Sequence, residues 1–114
     1  MTPEQAAERL DVVLAHAWMV RTFLKHAEEI QEDELMEVPR TIFDYCRAVE
    51  PARQAGDLKE YLHRIRGKLS KLRRAAEAFA ANYRRVSDHT NFHMAAASLT
   101  GCVREIEEVL AALG

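Results

Sequence analysis

The sequence predicts an all-α protein, an antiparallel up-down-up-down four-helix bundle, and three observations carry that expectation. Apolar residues return at alternating steps of three and four along four successive segments. The segment from Leu58 to Val86 keeps this alternation through Leu62, Ile65, Leu69, Leu72, Ala76, Phe79 and Tyr83 without a slip, and such a half-heptad period selects shallow, left-handed packing between neighbouring helices. The connections between segments are short, which favours antiparallel neighbours.

Each element has its own signals. The first helix opens with Thr2 as cap, Pro3 at the first helical position and Gln5 three residues after the cap. Leu10, Val13, Ala17, Val20, Leu24 and Ala27 line one face of a helix predicted to reach about Gln31. Val12, Ala15, Trp18 and Met19 lie off that stripe, so the middle of the helix is apolar nearly all round and a second face needs cover. The second helix is expected to start at Asp33, with Leu35, Val38, Ile42, Tyr45 and Val49 as its stripe and a kink or a shortened start at Pro39. Pro51 biases Glu50 away from the helical region and Gly56 supplies a turn. Asp57 caps the third helix, which is predicted to run unbroken to Val86 with Gly67 tolerated. After Ser87, Asp88, His89 and Thr90, a fourth helix carries Phe92, Ala96, Leu99, Val103, Ile106, Leu110 and Leu113 in register. Its small residues, Ala95, Ala96, Ala97, Ser98, Gly101 and Cys102, are read as helix packing.

A length of 114 residues fits a single domain, 1–114, with one core. Hydrophobic residues at 48% leave enough apolar surface to offset chain entropy, which argues against disorder. No apolar run approaches the roughly 20 residues of a membrane span. The start Met-Thr-Pro-Glu-Gln lacks a secretory pattern, and a cytoplasmic location is expected. Cys46 and Cys102 fall inside helices among apolar neighbours and read as buried free thiols. The net charge of −2 is unevenly spread: residues 28–50 are acidic and residues 58–86 basic, a pattern expected to set adjacent helices against each other.

Chemistry-bearing residues concentrate before the last helix. His89 and His93, four apart, share a face if both are helical, a geometry able to hold a metal between helices. A zinc-protease glutamate beside the first histidine and the carboxylate-x-x-His repeat of di-iron bundles are both lacking, and no cofactor is expected. Arg84 and His89 resemble the Arg-x4-His element of the HEPN family, helical-bundle dimers that include metal-independent ribonucleases. The resemblance implies that these two residues converge at a dimer cleft to position and cleave a phosphodiester. Arg85 stands where that family has a polar residue such as asparagine.

His16 flanks the main stripe of the first helix and is expected at a seam or a second subunit. Nucleic acid is not the expected partner, since the bases of the third helix surround several faces with few aromatics between them. The leading expectation is a non-catalytic interaction module, a homodimer or a binder of a protein partner, that associates through Val12, Ala15, Trp18 and Met19. The alternative is a small HEPN-like ribonuclease or a histidine-metal bundle with its site at the junction of the third and fourth helices.

Overall fold

Thr2 starts the first helix as its chemistry requires: its hydroxyl accepts from the Gln5 N–H at 3.1 Å while the Gln5 side chain accepts from the Thr2 N–H at 2.9 Å. This helix, α1, spans Pro3–His26 in the computed structural model, which describes residues 1–113. The described residues form five α-helices and no strand: α1, α2 (Glu37–Gln54), α3 (Leu58–Gly67), α4 (Leu69–Asn82) and α5 (Thr90–Ala112). Single 3-10 turns at Glu28–Ile30, Glu34–Met36 and Tyr83–Arg85 link them.

The all-α class stands, and the number of helices is corrected from four to five. The expected third helix is broken at Lys68, whose φ of −120 and ψ of 20 leave the helical region. Glycine beside the break lowers the cost of leaving the helix, and the apolar phase survives because Ile65 and Leu69 keep their four-residue step on either side. Leu62, Ile65, Leu69, Leu72, Ala76, Phe79 and Tyr83 are all buried, so both halves face one core. The break frees the Ile65 carbonyl, which the Leu69 N–H would take in an unbroken helix. The Tyr45 hydroxyl of α2 donates to it instead.

Three boundaries also move. α1 ends at His26, where the Ala27 N–H bonds the Leu24 carbonyl and the chain enters a 3-10 turn. Of the two alternatives at Pro39, the shortened start is the one observed: α2 begins at Glu37, after a 3-10 turn, and Pro39 is its third residue, in the first turn, where backbone N–H groups have no helical acceptor to lose. Asp33 caps the preceding 3-10 turn by accepting from the Leu35 N–H at 2.8 Å. Pro51 does not end α2, which continues to Gln54. Its last turn is held from outside, by the Arg53 fork on Asp11 of α1 at 3.0 and 2.9 Å. Gly56, at φ +73, then closes the helix with bonds from the Gly56 N–H to Arg53 and from the Asp57 N–H to Ala52.

Packing follows the stripes. α1 lies against α2 and α5, α2 against α3 and α4, and α4 against α5. The Met1 ammonium donates to the Ala112 carbonyl at 3.2 Å, so α1 and α5 run in opposite directions. All six predicted stripe residues of α1 are buried. An aromatic chain links the layers: Phe23 meets Phe92 edge-on at 5.3 Å, and Phe79 lies between Phe92 and Tyr83. The expected charge match between the acidic and basic segments narrows to one residue among the described residues, Arg85, which contacts Asp33 at 2.7 Å and Glu34 at 3.7 Å. Arg73 pairs instead with Glu107 on α5 at 2.8 Å. No helix among the described residues is long and apolar enough to cross a membrane.

Candidate functional site

The surplus apolar residues of α1 fall on two flanks. A helix turns about 100° per residue, so Val12 and Met19, seven apart, lie on nearly one line, with Ala15 close beside it and Trp18 rotated away. Val12 and Met19 are 59% and 66% exposed, and Met94 of α5, 63% exposed, stands on the same side. A shallow groove lined by His16, Met19, Phe23, Met94 and Ser98 runs between α1 and α5. It continues past His16 to Val12, Gly101 and Glu105. A Cβ added at Gly101 would meet nothing within 4 Å, so this glycine is not needed for packing within the chain. Of the six small residues expected to pack, Ala95, Ala96 and Cys102 are buried, Ser98 and Gly101 are half-buried, and Ala97 is exposed.

Trp18 belongs to the other flank. Its ring is half-buried and lies against Phe43 of α2, the centroids 5.6 Å apart and the planes tilted by 34°. The Arg21 guanidinium lies over both rings, 4.5 Å from Trp18 and 4.8 Å from Phe43, an arrangement that satisfies the ring faces electrostatically. The four residues singled out on α1 therefore divide: Val12 and Met19 stand open on the α5 flank, while Ala15, though exposed, lines with Trp18 the crevice facing α2, where Trp18 is engaged within the chain.

At the junction of α4 and α5 the histidines have separate tasks. His89 is the N-cap of α5, its Nδ1 accepting from the Asn91 N–H at 3.0 Å. His93 Nε2 lies 3.0 Å from Asp88 Oδ1 and 3.1 Å from the Asp88 carbonyl. Both neighbours are acceptors, so Nε2 carries the proton. Arg84 sits over the Tyr83 ring at 4.9 Å and 4.0 Å from Asp88. The structure thus groups Arg84, Asp88 and His93, and it joins Arg84 to His89 by neither a hydrogen bond nor an ion pair among the described residues. No group of three or more His, Cys, Asp or Glu side chains among the described residues is placed to hold a metal ion.

The thiols are passive. Burial pushes both Cys46 and Cys102 up to about 11, far from thiolate at neutral pH. Cys102 Sγ instead donates to the Val13 carbonyl at 3.5 Å, a weak bond across the α1–α5 seam. His26 and His63 are exposed, and their imidazoles make no hydrogen bond among the described residues.

Comparison with known proteins returns no matching family model, no matching curated protein and no matching solved structure. The HEPN resemblance accordingly rests on Arg84 and His89 alone. Sequence reasoning missed Met94, the α5 half of the exposed flank. Its signal was present, since Met94 lies two residues after Phe92 and so on the opposite side of α5 from the buried stripe. It also missed Arg21, whose place above Trp18 depends on Phe43 arriving from a different helix.

Proposed function

We propose that this protein is a non-catalytic helical interaction module that forms a homodimer through the α1–α5 flank. One observation carries the proposal: of the four large hydrophobic side chains exposed among the described residues, Met1, Val12, Met19 and Met94, the last three line the α1–α5 groove. A two-fold axis beside His16 lays Val12 of one copy on Met19 of a second, so the patch is complementary to itself, as an isologous interface demands. Gly101 and Ser98 allow close approach. With Cα extents of 41 × 23 × 19 Å, the long side of the molecule offers the roughly 800 Å² per partner of a standard interface. In this reading the helices act as an antiparallel bundle in which α3 and α4 together fill one position. Two free cysteines suit a reducing compartment such as the cytoplasm.

Burying three side chains per copy contributes about 1–2 kcal/mol each, against an association cost of about 4–15 kcal/mol. The six side chains of both copies together contribute about 6–12 kcal/mol, so the dimer is expected to be micromolar at its strongest and weaker otherwise. Light scattering across about 1–500 µM tests this: mass rising from one chain to two is expected, and a single-chain mass throughout overturns the proposal.

The grouping of Arg84, Asp88 and His93 favours one second reading, a small ribonuclease that uses Arg84 and His93 in place of the Arg84 and His89 pair on which the HEPN resemblance rests. RNA cleavage abolished by both Arg84→Ala and His93→Ala is the result it requires. No cleavage by the unaltered protein removes it.

A further inference from the structure

We infer that the cavity between the C-terminal half of α1 and the N-terminal half of α2 binds a small organic monoanion, an apolar body carrying one carboxylate. The cavity measures about 660 Å³, within the range of roughly 300–1,000 Å³ that small-molecule sites occupy. Met36, Pro39 and Phe43 make its floor apolar, while Arg21, Lys25 and Arg40 supply positive charge. Gln31 fixes the rim where α1 ends, its amide donating to the Lys25 and Ala27 carbonyls at 3.0 Å each.

The three cations are not equivalent. Arg40 is already engaged by Glu37 at 3.0 Å. Arg21 and Lys25 have no carboxylate within ion-pair distance among the described residues. The central carbon of the Arg21 guanidinium lies over the Trp18 and Phe43 rings at 4.5 and 4.8 Å, which restrains the group while none of its N–H groups makes a hydrogen bond among the described residues. An arginine restrained by ring contacts with its donors unspent is available to bind a carboxylate. Little side-chain entropy remains to be lost when the anion arrives. Lys25, one helical turn further on, adds a second positive charge on the same wall.

The acids around the cavity set the ligand's charge. Glu32 and Asp44 also line it and have no cation within ion-pair distance among the described residues. They cancel two of the three positive charges of the lining and leave one in excess, which accommodates a single negative charge and disfavours polyphosphates and nucleic acid; the body of such a ligand rests on Met36, Pro39 and Phe43.

The test uses octanoate, with 1-octanol as the same body without charge and acetate as the same charge without the body. Trp18 is the chain's sole tryptophan, so its fluorescence reports events at Arg21, and calorimetry provides an affinity independent of it. Octanoate is expected to bind saturably and at least about tenfold more tightly than either control, the difference one charge-assisted contact makes. Arg21→Gln should weaken it about tenfold and Lys25→Gln by about threefold, while Lys71→Gln on α4 changes nothing. Three results overturn the inference: no saturable binding up to about 10 mM, equal binding of octanoate and octanol, or unchanged affinity in both Arg21→Gln and Lys25→Gln. Melting temperatures of the variants separate lost binding from lost folding, and Met19→Glu should leave octanoate affinity intact, which keeps this site distinct from the dimer interface.

Discussion

On the α2 flank of α1, Trp18 lies against Phe43 and is roofed by Arg21, whereas on the α5 flank Val12, Met19 and Met94 stand largely in water. The two flanks are equally apolar in the sequence, and their different fates follow from the side chains present. An aromatic ring has a π face that attracts a cation, so a neighbouring arginine can cover it while keeping its own charge solvated. Valine and methionine offer no such face. Only another apolar surface covers them, and on this chain none does. In the proposed dimer a second copy covers this flank alone.

Substitutions can break this comparison. Trp18→Ala removes the Phe43 contact and the seat of Arg21 and should cost about 2 kcal/mol in urea unfolding. Met19→Ala, at an exposed position, should stay within about 0.5 kcal/mol under monomeric conditions. Equal losses would mean that the two flanks are not differently engaged. A second contrast lies deeper, between two buried tyrosines. Tyr45→Phe leaves the Ile65 carbonyl at the α3–α4 break without its donor and should cost about 1–2 kcal/mol. The Tyr61 hydroxyl is buried without a hydrogen-bond partner among the described residues, so Tyr61→Phe should be neutral within about 0.5 kcal/mol or stabilising. Loss of comparable stability in both would show that the break is not held by Tyr45.

The smallest effect concerns the single charge contact between the acidic and basic segments. The Arg85 guanidinium, with help from the Leu35 N–H, holds the Asp33 carboxyl below its ordinary 3.8. A depressed carboxylate adds stability that is complete above the unfolded value and is lost as pH falls through the lower folded one. Acid unfolding should therefore lose this contribution only below pH 3.8. Arg85→Gln should move the acid midpoint upward by about a few tenths of a pH unit, small because the pair is near the surface. Circular dichroism from pH 6 to 2 measures it, and an unchanged midpoint would count against the contact.

The stripes were legible because burial has the helical period: every α1 position predicted to face the core does so, and the caps at Thr2 and Asp57 act as their side chains dictate. The break at Lys68 was hidden because a step from α3 to α4 that preserves apolar phase leaves no mark in the spacing. Its compensation, the Tyr45 hydroxyl, comes from a position distant in sequence. Pro51 was misread for a related reason, since local bias at Glu50 is overridden by Arg53 reaching Asp11 on another helix. Of the candidate sites, the exposed α1 line was visible, but its separation from Trp18 required the position of Phe43. At the junction, spacing selected His89 with Arg84, while the backbone uses His89 as a cap and turns His93 toward Asp88.

The self-association of the α1–α5 flank is tested most directly by sedimentation velocity on the unaltered chain, Met19→Glu and Ala80→Glu at about 100 µM. Ala80 is an exposed position on α4, away from the patch. The unaltered chain and Ala80→Glu should sediment as two chains and Met19→Glu as one, with all three equally folded. A Met19→Glu protein that remains a dimer, or an unaltered chain that sediments as a monomer, contradicts the account.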